Sequence, residues 1–92
     1  MVSADQQWGG QVRPGLLYRP LVDGGMIYDG AQGQVHHLNA SAAQVWELCQ
    51  AGATSADLID ALRSRYEVGS EQAQADVRRI LQSFADAHLL QP

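Results

Sequence analysis

The sequence has no lysine, and its six arginines are outnumbered by ten acidic residues. The net charge of −4 argues against a nucleic-acid surface, because such surfaces carry clustered cations. No apolar run approaches the ~18 residues that a membrane-spanning helix needs. The first residues also lack the basic and apolar regions of a secretory signal. We therefore expect a cytoplasmic protein that binds neither nucleic acid nor a membrane.

Cysteine is almost absent as well, because Cys49 is the only one and cannot form an internal disulfide. It falls in a predicted amphipathic helix beside Trp46, which favours a small buried apolar residue over a nucleophile. The sequence has no HExxH or CxxC motif and no phosphate-binding glycine loop before a helix. It therefore predicts no catalytic residue, no metal site and no cofactor, and the protein is expected not to be an enzyme.

The 92 residues allow one domain with a modest core. Residues 1–15 are predicted to be a partly mobile N-terminal tail, and residues 16–92 to be the domain. Trp8 lies in this tail together with Gly9 and Gly10. Its indole is expected to pack either on the domain or on a neighbouring chain.

Three short apolar runs predict strands at residues 16–22, 26–28 and 34–38. Between the first two, Asp23-Gly24-Gly25 is a strong signal for a hairpin turn. Pro20 has no N–H for a ladder, which places the first strand at a sheet edge or at a bulge.

Three amphipathic helices are predicted to follow. Asn39 is a candidate N-cap for the first, and Thr54 with Asp57 forms a capping box for the second. The third is expected to run from near residue 70 to about residue 88. Its apolar stripe comprises Ala73, Val77, Ile80, Leu81 and Phe84. The predicted fold is α+β and winged-helix-like, with a three-stranded antiparallel sheet followed by three helices (β-β-β-α-α-α).

The order and spacing of several short segments carry a resemblance to a known family. These segments are Asp23-Gly24-Gly25, Ile27-Tyr28-Asp29, Gly33, His36-His37-Leu38-Asn39, Ala42-Ala43 and Val45-Trp46-Glu47-Leu48. They continue in Leu58, Leu62, Tyr66-Glu67-Val68, Asp76-Val77, Leu81 and Leu89-Leu90. Over roughly residues 16–91 the chain resembles the PqqD-like family, also called RiPP recognition elements. RiPPs are ribosomally made peptides that are modified after translation. The resemblance extends both to the lasso-peptide type and to the type found beside HPr-kinase-like proteins.

The resemblance implies a non-enzymatic adaptor, or peptide chaperone, that binds the leader segment of a precursor peptide. Such an adaptor presents the precursor to a modifying enzyme, for example a radical SAM enzyme, a peptidase or a cyclase. In this family the leader is expected to lie as an added strand against the third strand, over a groove lined by the third helix. The mode is physically reasonable, because an edge strand offers unpaired main-chain groups to an extended peptide.

The predicted peptide-binding residues come from this strand and from the flank of the third helix. We expect Val77, Leu81 and Phe84 to be core residues, and the neighbouring flank to be half exposed. The set comprises Gln34, Val35, His36, His37, Leu38, Asp76, Arg79, Ile80 and Ser83.

Three alternatives deserve comparison with this interpretation. A winged-helix DNA-binding protein is suggested by Arg78 and Arg79, but acidic neighbours make that basic patch thin. A homodimer could form through the same open strand. A metal site at His36 and His37 conflicts with strand geometry, because adjacent strand residues point to opposite faces.

Overall fold

A single antiparallel sheet begins the fold. The computed structural model describes residues 11–91, so the predictions for Trp8 and for the rest of residues 1–10 lie outside the described residues. The strands are β1 (Leu16–Leu21), β2 (Gly24–Asp29) and β3 (Gln34–Asn39), in the order β1-β2-β3. Glycine is required at the start of β2, because a Cβ on Gly24 would overlap the carbonyl oxygen of Leu38.

Three helices follow the sheet: α1 (Ala40–Gln50), α2 (Ser55–Tyr66) and α3 (Ser70–Asp86). Asn39 caps α1 by accepting a hydrogen bond from the Ala42 N–H at 2.9 Å. Thr54 and Asp57 form the predicted capping box of α2. The α+β fold with the order β-β-β-α-α-α is confirmed, although α3 ends at Asp86 and not near His88.

The core lies between the inner face of the sheet and the three helices. Its centre is Trp46 of α1, which is fully buried and packs edge-on against Phe84 of α3, with ring centroids 5.3 Å apart. Ile27 contributes from β2 and is also fully buried. The indole thus joins the first and last helices and is the largest side chain in the core.

A hydrogen bond ties the far edge of the sheet to α1. The Tyr18 hydroxyl donates to the Glu47 carboxylate at 2.6 Å, and the Tyr18 ring lies over Gly25. Burial, together with the hydrogen bond to Glu47 and its negative charge, raises the pKa of Tyr18 to about 12. The phenol therefore keeps its proton, and this bond, at neutral pH.

The chain segment before β1 pairs with the last residues that follow α3. The Arg13 N–H donates to the Leu89 carbonyl at 2.9 Å, and the Gln91 N–H donates to the Gln11 carbonyl at 3.1 Å. The Arg13 side chain also donates from Nε to the His88 carbonyl at 2.8 Å. The end of the predicted N-terminal tail, residues 11–13, is thus packed on the domain.

Asp29 is the one buried charged residue among residues 11–91, with 1% of its surface exposed. Burial alone would raise the pKa of Asp29. The Gln32 N–H, the Arg13 guanidinium and the Ala31 N–H outweigh this effect and lower the pKa below its ordinary value. Arg13 forms an ion pair with the carboxylate and so attaches residues 11–13 to the end of β2.

The lowered pKa predicts a specific loss of stability in acid. The ionised carboxylate stabilises the fold above its ordinary pKa of 3.8, and this contribution disappears as the pH falls through the lower folded-state value. We expect Asp29→Asn to be less stable than the parent at pH 7 and to have a shallower decline below about pH 4. Thermal unfolding at stepped pH tests this, with Asp60→Asn, an exposed aspartate of α2, as control. Parallel pH profiles for the parent and Asp29→Asn would contradict the assignment.

Candidate functional site

The two-residue turn between β1 and β2 determines which way the main-chain groups of the sheet point. Leu21 pairs with Gly24 across this turn, and a turn of this length closes on a hydrogen-bonded pair. Bonded and non-bonded pairs alternate along an antiparallel ladder, so Pro20 faces Gly25 in a non-bonded pair. This position suits proline, which has no N–H to donate. β1 is an edge strand, as Pro20 predicts.

The same alternation leaves main-chain groups of β3 without a strand partner. Ile27 faces Tyr18 in a non-bonded pair, so its N–H and C=O point to the other neighbour, His36 of β3. Val35 and His37, on either side of His36, must then direct their N–H and C=O groups away from β2. No fourth strand lies beyond β3 in residues 11–91. We call these outward main-chain groups of Val35 and His37 the open edge.

The side chains of β3 alternate between the two faces of the sheet. The inner face packs on the helices, since the partner of His36 there is the fully buried Ile27. The inner-facing β3 residues are Gln34, His36 and Leu38, and the outer-facing residues are Val35 and His37. His36 and Leu38 are half-buried, whereas the other three are exposed. A strand added at the open edge would meet both sets.

The predicted helix residues share one side of α3 but differ in exposure. Arg79 and Ser83 are exposed, and Asp76 is half-buried. The Asp76 carboxylate accepts from Gln72 Nε2 at 2.9 Å and pairs with Arg79 at 3.4 Å. The Ser83 hydroxyl donates to the Ile80 carbonyl at 2.6 Å. These hydrogen bonds and the ion pair all lie within α3. Arg79 and Ser83 remain in contact with solvent.

The expectation that Ile80 would be half exposed is wrong, because its exposed fraction is 3%. Helical periodicity places Ile80 beside the stripe of Val77 and Phe84 but does not determine how wide the covered stripe is. In the folded chain the cover extends over Ile80. The Ile80 side chain is therefore part of the core beneath the exposed flank residues and does not form an exposed surface for the peptide.

Three buried polar atoms near the core have no hydrogen-bond partner among the described residues: His36 Nε2, Gln44 Oε1 and Trp46 Nε1. Buried polar atoms are normally paired, and leaving one unpaired costs about 1–3 kcal/mol. His36 belongs to β3 itself, so its ring nitrogen is a polar contact available beneath the open edge. The predicted site residues include His36 but not Gln44.

The described residues do not assemble a recognisable metal centre. Within residues 11–91, no three His, Cys, Asp or Glu side chains lie close enough to share a metal ion. His36 and His37 point to opposite faces of β3, as strand geometry requires. None of the helices in this part of the chain is long and apolar enough to cross a membrane.

The single thiol is predicted to be unreactive in the folded protein. Cys49 is 3% exposed, and burial raises its pKa to about 12, so almost no thiolate forms at neutral pH. We expect Ellman's reagent at pH 8 to modify Cys49 at least 100-fold more slowly in the native protein than in 6 M guanidinium chloride, a rough figure from thiolate fraction and access. Rapid modification without denaturant would show an accessible, activated thiol and would contradict this assignment.

A protein-family model matches most of the chain. The model is described as coenzyme PQQ synthesis protein D (PqqD), and it matches residues 24–90. This range contains β2, β3 and all three helices, and therefore the open edge and the α3 flank. No curated protein matches the sequence.

Two solved structures resemble the folded chain over nearly its whole length. Lasso peptide synthetase B1 complexed with the leader peptide is 27% identical, with a TM-score of 0.80 over 89% of this chain and 96% of that chain. TbiB1 in complex with the TbiA(beta) leader peptide is 21% identical, with a TM-score of 0.81 over 88% of this chain and 94% of that chain. At 21% identity the second match shows a shared fold. Both of these proteins carry a leader peptide.

Proposed function

This chain belongs to the PqqD family, and we propose that it is a non-enzymatic adaptor that binds the leader segment of a ribosomally made precursor peptide. The family resemblance predicted from the sequence is confirmed by the match over residues 24–90. The observation that carries the proposal is the open edge, where Val35 and His37 present main-chain donors and acceptors. An extended peptide can pair with these groups as a fourth strand.

Strand addition suits a ligand that is disordered when free. Ordering such a segment costs roughly 2–5 kcal/mol, which main-chain hydrogen bonds and apolar contacts must offset. Hydrogen bonds to Val35 and His37 contribute without selecting a sequence. Selectivity then comes from side chains that meet the peptide at alternate positions. The main-chain groups of the open edge therefore align the bound peptide along β3, and the surrounding side chains determine which leader sequence binds.

We infer that the inner side of the added strand faces the α3 flank, as the family resemblance implies. Leu38 offers an apolar wall, and His36 offers a buried ring nitrogen. We infer that Asp76, Arg79 and Ser83 line the rim, where charges affect association rate and register more than affinity. Ile80 is buried beside them and would act through the core. Val35 and His37 would contribute their outward main-chain groups, so that all nine predicted residues take part in the proposed peptide-binding region.

The adaptor would present the precursor to a modifying enzyme such as a radical SAM enzyme, a peptidase or a cyclase. One similar protein is named as a lasso peptide synthetase component, which favours the lasso-peptide type over the type beside HPr-kinase-like proteins. A cytosolic setting, as predicted from the sequence, fits a partner that is made on the ribosome.

Direct titration tests the proposal. Synthetic leader segments from short peptide genes next to this gene, labelled with fluorescein, are titrated with the purified chain. We expect one of them to bind with a dissociation constant in the micromolar range or below, about −8 kcal/mol. A scrambled peptide of the same composition is the control. Equal behaviour of every leader and its scrambled version would overturn the proposal, and sedimentation of the free chain would show whether a homodimer occupies the edge.

A further inference from the structure

The outer face of the sheet, opposite to the helices, carries one row that is apolar across all three strands. Leu17 pairs with Tyr28, and Tyr28 pairs with Val35, so these side chains stand side by side on this face. Their exposed fractions are 68%, 44% and 48%. Large apolar side chains that line up in solvent usually mark a contact surface. We call these three residues the outer row.

The neighbouring row on the same face is different in character. Arg19 pairs with Met26, and Met26 pairs with His37, so that row contains a charge and an imidazole. The apolar surface therefore extends across the three strands at the outer row, but it does not extend along the strands into the neighbouring row. It reaches the side of the sheet at Val35, the residue that also forms part of the open edge. A peptide strand that pairs at the open edge would therefore extend the outer row by one more side chain.

We propose that Val35, with Tyr28 beside it on the same face, forms an outer subsite that takes an apolar side chain of the bound peptide. The inference rests on the proposed function and adds a second specificity contact on the sheet face that points away from α3. The main-chain groups of Val35 face the open edge, so one peptide residue pairs directly with Val35. Its side chain must then project on the outer face beside Val35, whichever way the peptide runs.

The chemistry of this subsite selects for an apolar partner. Val35 has no polar atom in its side chain, and about half of its surface is available for burial. The Tyr28 ring lies against Gly30, where an added Cβ would be 3.3 Å from Tyr28 Cε2. The ring therefore stands at the loop end of the outer row, and β3 separates it from the added strand. A charged residue at this peptide position would be desolvated by Val35 without gaining a partner.

The inference predicts a two-sided pattern in the leader. Because strand side chains alternate, residues adjacent to the one beside Val35 point into the inner groove. A leader that binds well therefore has an apolar residue at the outer position flanked by residues that suit the inner side. Leu17 lies two strands further away, roughly 9.6 Å from β3 at 4.8 Å per strand, and does not touch the peptide.

The experiment compares two substitutions of an apolar residue by threonine in the same row. Val35→Thr is isosteric and replaces one methyl by a hydroxyl, and Leu17→Thr makes the far strand of the row polar in the same way, with a smaller side chain. Each variant is titrated with the leader that binds the parent chain and with versions of it in which one apolar residue at a time becomes serine. We expect Val35→Thr to weaken binding about threefold to fivefold and Leu17→Thr to leave it unchanged. One of the serine-substituted peptides should bind Val35→Thr as tightly as it binds the parent chain, because its side chain at the outer position is already polar.

Each outcome is decisive. Coupling between Val35 and one apolar peptide position supports the outer subsite. Equal binding by the parent, Val35→Thr and Leu17→Thr overturns it while the proposed function stands. Equal weakening by both variants also overturns it, because a cover over the whole row, such as a second copy of the chain, would then be the occupant. Absence of binding to the parent chain itself would instead overturn the proposed function.

Discussion

Proline at Val35 or at His37 is expected to weaken leader binding about 10- to 100-fold while the domain stays folded. At each position the N–H points to the open edge and not to β2, so proline costs no hydrogen bond within the sheet. The ring removes the donor that the peptide needs and stands in the path of the added strand. Fluorescence anisotropy with the labelled leader measures the effect, and circular dichroism checks the fold.

Two further variants make this result specific to the open edge. His36→Pro removes a bond to Ile27 of β2, so it should lower stability rather than affect binding selectively. Arg79→Ala, at the exposed rim of α3, should weaken binding less than either edge proline and should change its salt dependence. Unchanged leader affinity in both Val35→Pro and His37→Pro, with the fold intact, would exclude strand addition at β3.

Replacing Trp46 by alanine is expected to have the largest effect on stability. Truncation of a fully buried tryptophan costs about 3–5 kcal/mol, because it removes apolar burial and leaves a cavity. The edge-on contact with Phe84 is lost as well, and with it a direct link between α1 and α3. A domain of this size has a total stability of roughly 5–14 kcal/mol, so the variant should lose a substantial fraction of it and unfold at a lower urea concentration than the parent.

Urea unfolding followed by circular dichroism measures this loss. Val22→Ala is a suitable control, because Val22 is fully exposed in the turn between β1 and β2 and should change stability by less than about 0.5 kcal/mol. A Trp46→Ala protein that unfolds at the same urea concentration as the control would show that the core does not depend on the indole, contrary to its position between α1 and α3.

The site could be predicted in part, because its strand component is local. The extended run before Asn39, and the chain order of the hairpins, predicted that β3 lies at an edge of the sheet. The α3 flank was harder to predict. The period of the helix predicted which residues share a side, but Ile80 is buried by elements that are distant in sequence. Gln44 is not among the predicted site residues, because only packing brings its side-chain carbonyl oxygen out of contact with water.

The sequence left open whether Pro20 marks an edge strand or a bulge, and its turn signal at residues 23–25 is shifted from the observed turn at Val22 and Asp23. By itself it determined the order of strands and helices, the presence of a hairpin between β1 and β2, and the caps at Asn39 and Thr54. These features depend on backbone preferences and hydrogen bonds between residues only a few positions apart. Only the tertiary structure decided that Arg13 holds the buried Asp29, that residues 11–13 pair with residues 89–91, and that one apolar row ends at the open edge. Such contacts depend on which distant segments meet and on how much water they exclude, and no short stretch of sequence contains that information.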